Sequence, residues 1–133
     1  MASTLESRTL SITITCFPRK VYEFASNPEN LPRWAAGLCT SVRRSDTGWI
    51  VETPQGPMQI RFAEKNDFGV LDHYVTTAQG VEIYVPMRVV PNGSGSEVIF
   101  TLFKTPGMSD KQFADDAGMV QQDLKTLKSI LER

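Results

Sequence analysis

Residues 109–133 read SDKQFADDAGMVQQDLKTLKSILER, and this stretch decides the fold. It opens with Ser109 and, three residues on, Gln112, the pattern of a capping box, just after the breaker TPGM at 105–108. Phe113, Ala117, Val120, Leu124, Leu127 and Leu131 then recur at spacings of four, three, four, three and four. That is one apolar stripe along one long helix. Gly118 interrupts it, where glycine costs about 1 kcal/mol relative to alanine, so it either permits close approach to a neighbour or loosens the helix. Asp115 and Asp116 are adjacent and diverge on a helix, which suits a solvated face better than a paired-carboxylate site. A helix with one apolar stripe needs a surface to cover it.

The chain before it supplies that surface. From residue 38 to 105 short apolar runs are separated by turn chemistry: SDTG at 45–48, PQGP at 54–57, NDFG at 66–69, AQG at 78–80 and PNGSGS at 91–96. Six consecutive strands are expected, and connections this short allow only antiparallel neighbours. Alternation assigns faces. Met58, Ile60 and Phe62 share the side expected to point inward, as do Leu71, His73 and Val75, then Val81, Ile83, Val85, Met87 and Val89, then Val98, Phe100 and Leu102. Tyr74, Tyr84, Pro86, Ile99 and Phe103 point outward, mixed with Arg61, Arg88 and Glu97. Adjacent aromatics on an outer sheet face can mark a homodimer surface, here through Tyr74, Tyr84 and Phe103.

RTLSITITC, residues 8–16, alternates strictly and reads as a half-buried strand. Pro18 then starts a short helix with Val21, Phe24 and Ala25 on one face, and Asn27-Pro28 starts a second short piece, PENLPRWA, carrying Leu31 and Trp34. The segment ITITCFPRKVYEFASNPENLPRW, 12–34, together with the order of elements, resembles the START-like helix-grip superfamily, in particular the polyketide cyclase/dehydrase-type members grouped as SRPBCC proteins. The resemblance implies an α+β single domain over residues 1–133: a seven-stranded, curved antiparallel sheet wrapped around the long C-terminal helix, with two short helices between strands 1 and 2 and a ligand cavity in between. The superfamily includes lipid and hormone carriers, coenzyme-handling proteins, ring-forming enzymes and co-chaperones, so the fold does not select a chemistry.

His73 is the only histidine in the chain and the only polar member of the inward set. The NDFG turn sets Phe62 opposite it, and the AQG loop sets Val85 opposite it. Burial there disfavours the imidazolium, so a neutral ring is expected, needing one donor and one acceptor. Glu64, in the inward phase and diagonal to His73, is one candidate partner. The same position suits a core histidine satisfied by backbone, Tyr or Glu, and equally one that contacts a ligand. Trp34 is either a packing anchor or part of the ligand wall. Met58, Met87 and Phe100 are either core or an adaptable pocket lining. The candidate ligand-binding set is therefore His73 and Trp34 with Met58, Ile60, Phe62, Leu71, Val75, Ile83, Val85, Met87, Phe100 and Leu102 from the sheet, and Phe113, Val120 and Leu124 from the helix.

Composition removes other classes. With 133 residues, 41% hydrophobic and 22% charged, the chain is an ordinary globular domain, not a disordered or disulfide-stapled one. Fourteen Lys and Arg against fifteen Asp and Glu give a net charge of −1 and no basic field to attract nucleic acid. No window is long and apolar enough to span a bilayer and the start lacks a leader pattern, so a cytoplasmic protein is expected. Cys16 and Cys39 match no CxxC or zinc ribbon; Cys39, out of phase with Leu38 and Val42, is expected on the face opposite Cys16. No HExxH, Gly-rich phosphate loop, G-x-S-x-G elbow or cluster of metal ligands is present, so no metal or cofactor is expected. Two functions follow: binding of a small apolar, lipid-, polyketide- or aromatic-like molecule, or a cyclase or dehydratase with His73 as general acid/base and Glu64 or a tyrosine orienting it. A partner-binding module acting through the outer aromatic face is a third.

Overall fold

A computed structural model describes residues 2–37, 39–46 and 48–133. Strand β1 (Ser7–Ile14) leads into helix α1 (Pro18–Ala25), a 3-10 turn (Pro28–Asn30) and the single-turn helix α2 (Leu31–Trp34). Seven strands follow: β2 (Ser41–Ser45), β3 (Gly48–Thr53), β4 (Gly56–Phe62), β5 (His73–Thr76), β6 (Glu82–Val85), β7 (Met87–Asn92) and β8 (Gly95–Phe103). Helix α3 (Asp110–Leu131) closes the chain. The strands form two antiparallel sheets, β1-β8-β7 and β2-β3-β4-β5-β6.

The strand count is eight, not seven, and one residue explains it. Pro86 divides the expected strand 81–90 into β6 and β7 because it has no N–H to give to the ladder. Register survives the break. His73 pairs with Val85 on one side of it, and on the other Leu71 N–H donates to Met87 O (2.8 Å) and Val89 N–H donates to Gly69 O (2.9 Å). The two sheets thus meet along a strand bent at Pro86. Gly69 is fixed by this approach: its φ is +72°, and a Cβ there would lie 2.1 Å from Val89 O. Val81, expected inward, is 53% exposed, because it belongs to the turn that precedes β6.

The second helical piece is a 3-10 turn running into one α turn. Asn27 Oδ1 accepts from Glu29 N–H (3.1 Å), and Pro32 sits in the first turn of α2, where a missing N–H costs no bond. In α3 the Ser109 side chain accepts from Gln112 N–H (3.0 Å), but the capping box closes only this way, since Gln112 Nε2 donates to Asp116 Oδ1 instead (2.8 Å). The predicted stripe Phe113, Ala117, Val120, Leu124, Leu127 and Leu131 is buried throughout, and Asp123 is buried with it. Gly118 faces the other way; a Cβ there meets nothing within 4 Å, so close approach to the sheet does not explain it.

Core residues from both sheets pack with α2 and α3 in one cluster that includes Ile14, Leu71, Met87, Val98, Leu124 and Leu127. The last turn of α3 is lashed to β1 by polar groups. Lys128 Nζ donates to Thr13 O (2.8 Å), and Glu132 accepts from both Thr15 N–H (2.8 Å) and Lys128 (2.7 Å). Those donors hold the Glu132 carboxyl at about 2.

Candidate functional site

The grip of sheet on helix is not filled. A cavity of about 140 Å³ lies between them. Helix α2 and the residue after it contribute Leu31, Trp34 and Ala35, and the following loop Cys39. The sheet contributes Val51 and Thr53 of β3, Met58, Ile60 and Phe62 of β4, His73 and Val75 of β5 and Phe100 of β8. From α3 come Val120 and Asp123, and Gln55, exposed in the β3–β4 turn, stands at the edge.

Eight of the expected residues share this wall: Trp34, Met58, Ile60, Phe62, His73, Val75, Phe100 and Val120. The other seven do not. Leu71, Val85, Met87, Phe113 and Leu124 are buried packing residues, and Ile83 and Leu102 are half-buried against the core. Alternation sorts residues between two faces of a sheet but does not say where along the inner face the packing opens.

His73 is placed as the turn lengths require, opposite Phe62 on β4 and Val85 on β6. Its ring lies between Phe62, 5.0 Å away between centroids, and Phe100, 6.1 Å away and edge-on. Nδ1 is 3.0 Å from Leu71 O; a carbonyl only accepts, so Nδ1 carries the proton and Nε2 is the acceptor. Burial lowers its pKa, against the opposing pull of the Leu71 hydrogen bond and the Asp72 charge, so the imidazole is neutral. Glu64 is not its partner. β4 ends at Phe62, so Glu64 no longer follows the strand phase and is exposed, its carbonyl accepting from Asn66 Nδ2. No tyrosine orients the ring either; the Leu71 carbonyl does.

Four polar residues in the wall were not in the expected set. Asp123 is 6% exposed and, among the described residues, accepts one hydrogen bond, from Gly37 N–H (3.3 Å). Burial raises its carboxyl to about 6, and the Gly37 bond offsets only part of this. Cys39 is buried with Sγ 3.3 Å from Ser41 O, and burial pushes its thiol up. Thr53 and Gln55 stand nearer solvent. Trp34, 4% exposed, has an indole Nε1 that is fully buried and finds no hydrogen-bond partner among the described residues. Leu38, expected opposite Cys39 in phase, lies outside the described residues.

The outer face is built differently. The Tyr74 and Tyr84 rings lie tilted with centres 5.1 Å apart, Tyr84 and Phe103 stack at 6.4 Å, and the Arg61 guanidinium lies 4.9 Å from the Tyr74 ring centre. A wider cleft of about 460 Å³ runs between α1 and the 65–69 loop, but Arg19, Glu23, Lys65 and Asp67 on its walls make it a watery groove. Among the described residues no three His, Cys, Asp or Glu side chains converge as metal ligands, and no helix is long and apolar enough to cross a membrane.

No protein-family model and no curated protein sequence matches the chain. Solved structures do match in shape. The protein XoxI from Bacillus cereus superposes with a TM-score of 0.77 at 19% identity, over 96% of each chain. Ara h 8.0201 gives 0.72 at 12% identity, over 96% of this chain and 97% of that one. A START superfamily protein from Mycobacterium smegmatis gives 0.67 at 11% identity, over 98% of each chain. The fold is therefore START-like, a helix-grip architecture, and at these identities the likeness concerns the fold alone.

Proposed function

We propose that the chain binds a small apolar molecule in the cavity beneath α3. The carrying observation is the cavity itself: about 140 Å³, walled mainly by Met58, Ile60, Phe62, Val75, Phe100 and Val120. An apolar cavity of roughly 150 Å³ accepts a benzene-sized guest, so the size favours a single substituted ring over a lipid or a fused-ring polyketide. A ligand that binds only the folded state at a hundred times its Kd stabilises it by about 2.7 kcal/mol. Toluene and related single-ring compounds are expected to raise the melting temperature, and Val75→Phe, which fills the cavity, to abolish the rise. A panel that leaves the melting temperature unchanged, with no small molecule retained in native mass spectra of gently purified protein, would overturn this reading.

One observation favours a second reading. The neutral His73 Nε2 and the Asp123 carboxyl, held at about 6, stand on the wall of one cavity. Two groups so poised suit acid/base work on an enolisable ketone. A cyclase or dehydratase would lose turnover in His73→Gln, whereas a carrier would change only its affinity. The outer stack of Tyr74, Tyr84 and Phe103 would be a homodimer face if Tyr84→Glu converts a dimer to a monomer in sedimentation.

A further inference from the structure

We infer that the cavity guest carries an O–H or N–H donor and that His73 Nε2 accepts it. The inference rests on the cavity-binding reading and adds a chemical class to it.

The bond inside the protein fixes which ring nitrogen is available. Nδ1 donates to Leu71 O (3.0 Å), so Nε2 keeps its lone pair. No group among the described residues donates to it. Nor is it closed off by packing. Among the described residues Trp34 Nε1 is the one side-chain nitrogen or oxygen that is both fully buried and unpartnered, so the unpartnered Nε2 retains accessible surface. His73 as a whole is 8% exposed, and the space it lines is the cavity. Phe62 and Phe100, whose rings flank the imidazole, belong to the same wall. Nε2 is therefore an open acceptor at the hollow.

The other polar groups of the wall decide what kind of guest this favours. Thr53 Oγ1 gives its proton to Gly56 O (2.7 Å) and accepts from Gln55 N–H (3.1 Å). Cys39 Sγ gives its proton to Ser41 O (3.3 Å). The Trp34 N–H has no surface to offer, and Gln55 is exposed at the edge, where water serves it. Asp123, held at about 6, is ionised at pH 7.5 and has no proton to give. The donors of the interior are thus spent or out of reach, while acceptor capacity is left over. A guest bringing only acceptors finds no partner there. One bringing a donor recovers in the cavity the hydrogen bond it gave up on leaving water.

Toluene, phenol and aniline have the same number of heavy atoms and differ in the donor, so they test this at pH 7.5 by calorimetry and by ¹⁵N NMR of the imidazole. His73 is the only histidine in the chain, so its ring signals are unambiguous. Phenol leaves behind hydration that toluene never had, and in a wall with no open acceptor it would bind about tenfold weaker. Phenol is expected instead to bind at least as tightly as toluene. Phenol and aniline should move the Nε2 signal upfield and leave Nδ1 in place, and toluene should move neither. His73→Leu should weaken phenol by about tenfold with toluene affinity retained, and His73→Gln, which keeps an acceptor, should restore part of the loss. The ring signals of the wild type decide the matter if a variant does not fold. Toluene binding tighter than phenol, Nε2 unmoved by saturating phenol, or phenol affinity unchanged in folded His73→Leu would each overturn the donor inference and leave the cavity reading standing. Failure of all three probes to bind the wild type would overturn the cavity reading itself.

Discussion

Asp72, on the outer side of the sheet, and Asp123, on the inner side of α3, are both largely withdrawn from water, yet their surroundings push them in opposite directions. Asp72 accepts from Arg88 Nε (2.9 Å) and Nη2 (2.8 Å), Met87 N–H (2.9 Å) and Tyr84 OH (2.9 Å). The Arg88 bonds foremost hold its carboxyl at about 2. Among the described residues Asp123 has Gly37 N–H alone, and burial raises it to about 6. The outer carboxylate repairs the fold: it stands across the strand from Pro86 and takes up the Met87 N–H at the point where the ladder breaks. The inner one repairs nothing. The fold supplies four bonds to one carboxylate and, among the described residues, one to the other, so the second keeps open acceptor sites in the cavity wall.

The sharpest way to break this contrast is Asp72→Ala. It strands Met87 N–H and unpairs Tyr84 OH and Arg88, which are exposed and so recover part of their loss in water. A loss of about 3 kcal/mol is expected in urea unfolding at pH 7. Its sign with pH is fixed: the folded value lies below the ordinary 3.8, so the stabilisation is present above about pH 4 and is lost as pH falls towards 2. A loss below about 1 kcal/mol at pH 7 would reduce the network to surface decoration.

Asp123→Asn is expected to act in the opposite sense. Its folded value lies above 3.8, so the native state holds the proton longer and stability declines as pH rises from about 4 through 6. A rise of about two units corresponds to about 3 kcal/mol, of which the neutral amide should recover about 2 kcal/mol at pH 8 and almost nothing below pH 4. Equal stability of variant and wild type at both pH values would mean that the acid is not desolvated. The smallest effect belongs to the far side of the same helix. Gly118→Ala meets open space and should stabilise by up to about 1 kcal/mol, independent of pH; any loss of stability would place the solvent face of α3 against something.

Much of this was legible in the sequence. The four-three spacing from Phe113 to Leu131 defined the gripped helix, and the NDFG and AQG turn lengths fixed Phe62 and Val85 opposite His73. Face assignment by alternation also held for Leu71, His73, Met87, Val98 and Phe100, all buried. The failures have particular causes. Glu64 was carried inward by a strand phase that stops at Phe62, and Val81 by a phase that begins only at Glu82. Pro86 reads as outward in the alternation, and only its missing N–H reveals that it splits the strand. Asp123 precedes Leu124 in the stripe, and the sequence of apolar spacings passes over it. The signal was there, since Val120, Asp123 and Leu127 are themselves spaced three and four. The unpartnered indole of Trp34 and the opening beside it depend on packing in three dimensions, which no periodicity encodes.

The central claim is that the cavity between the sheet, α2 and α3 takes up a small apolar guest. The indole resonances of ¹⁵N-labelled protein report on it directly, because Trp34 lines the cavity while Trp49, on β3, stacks with Arg44 outside it. Saturating toluene is expected to shift the Trp34 indole N–H through the ring current of a guest lying against the indole, and to leave Trp49 in place. A Trp34 signal that stays put at saturation, or one that moves no further than that of Trp49, would contradict the account.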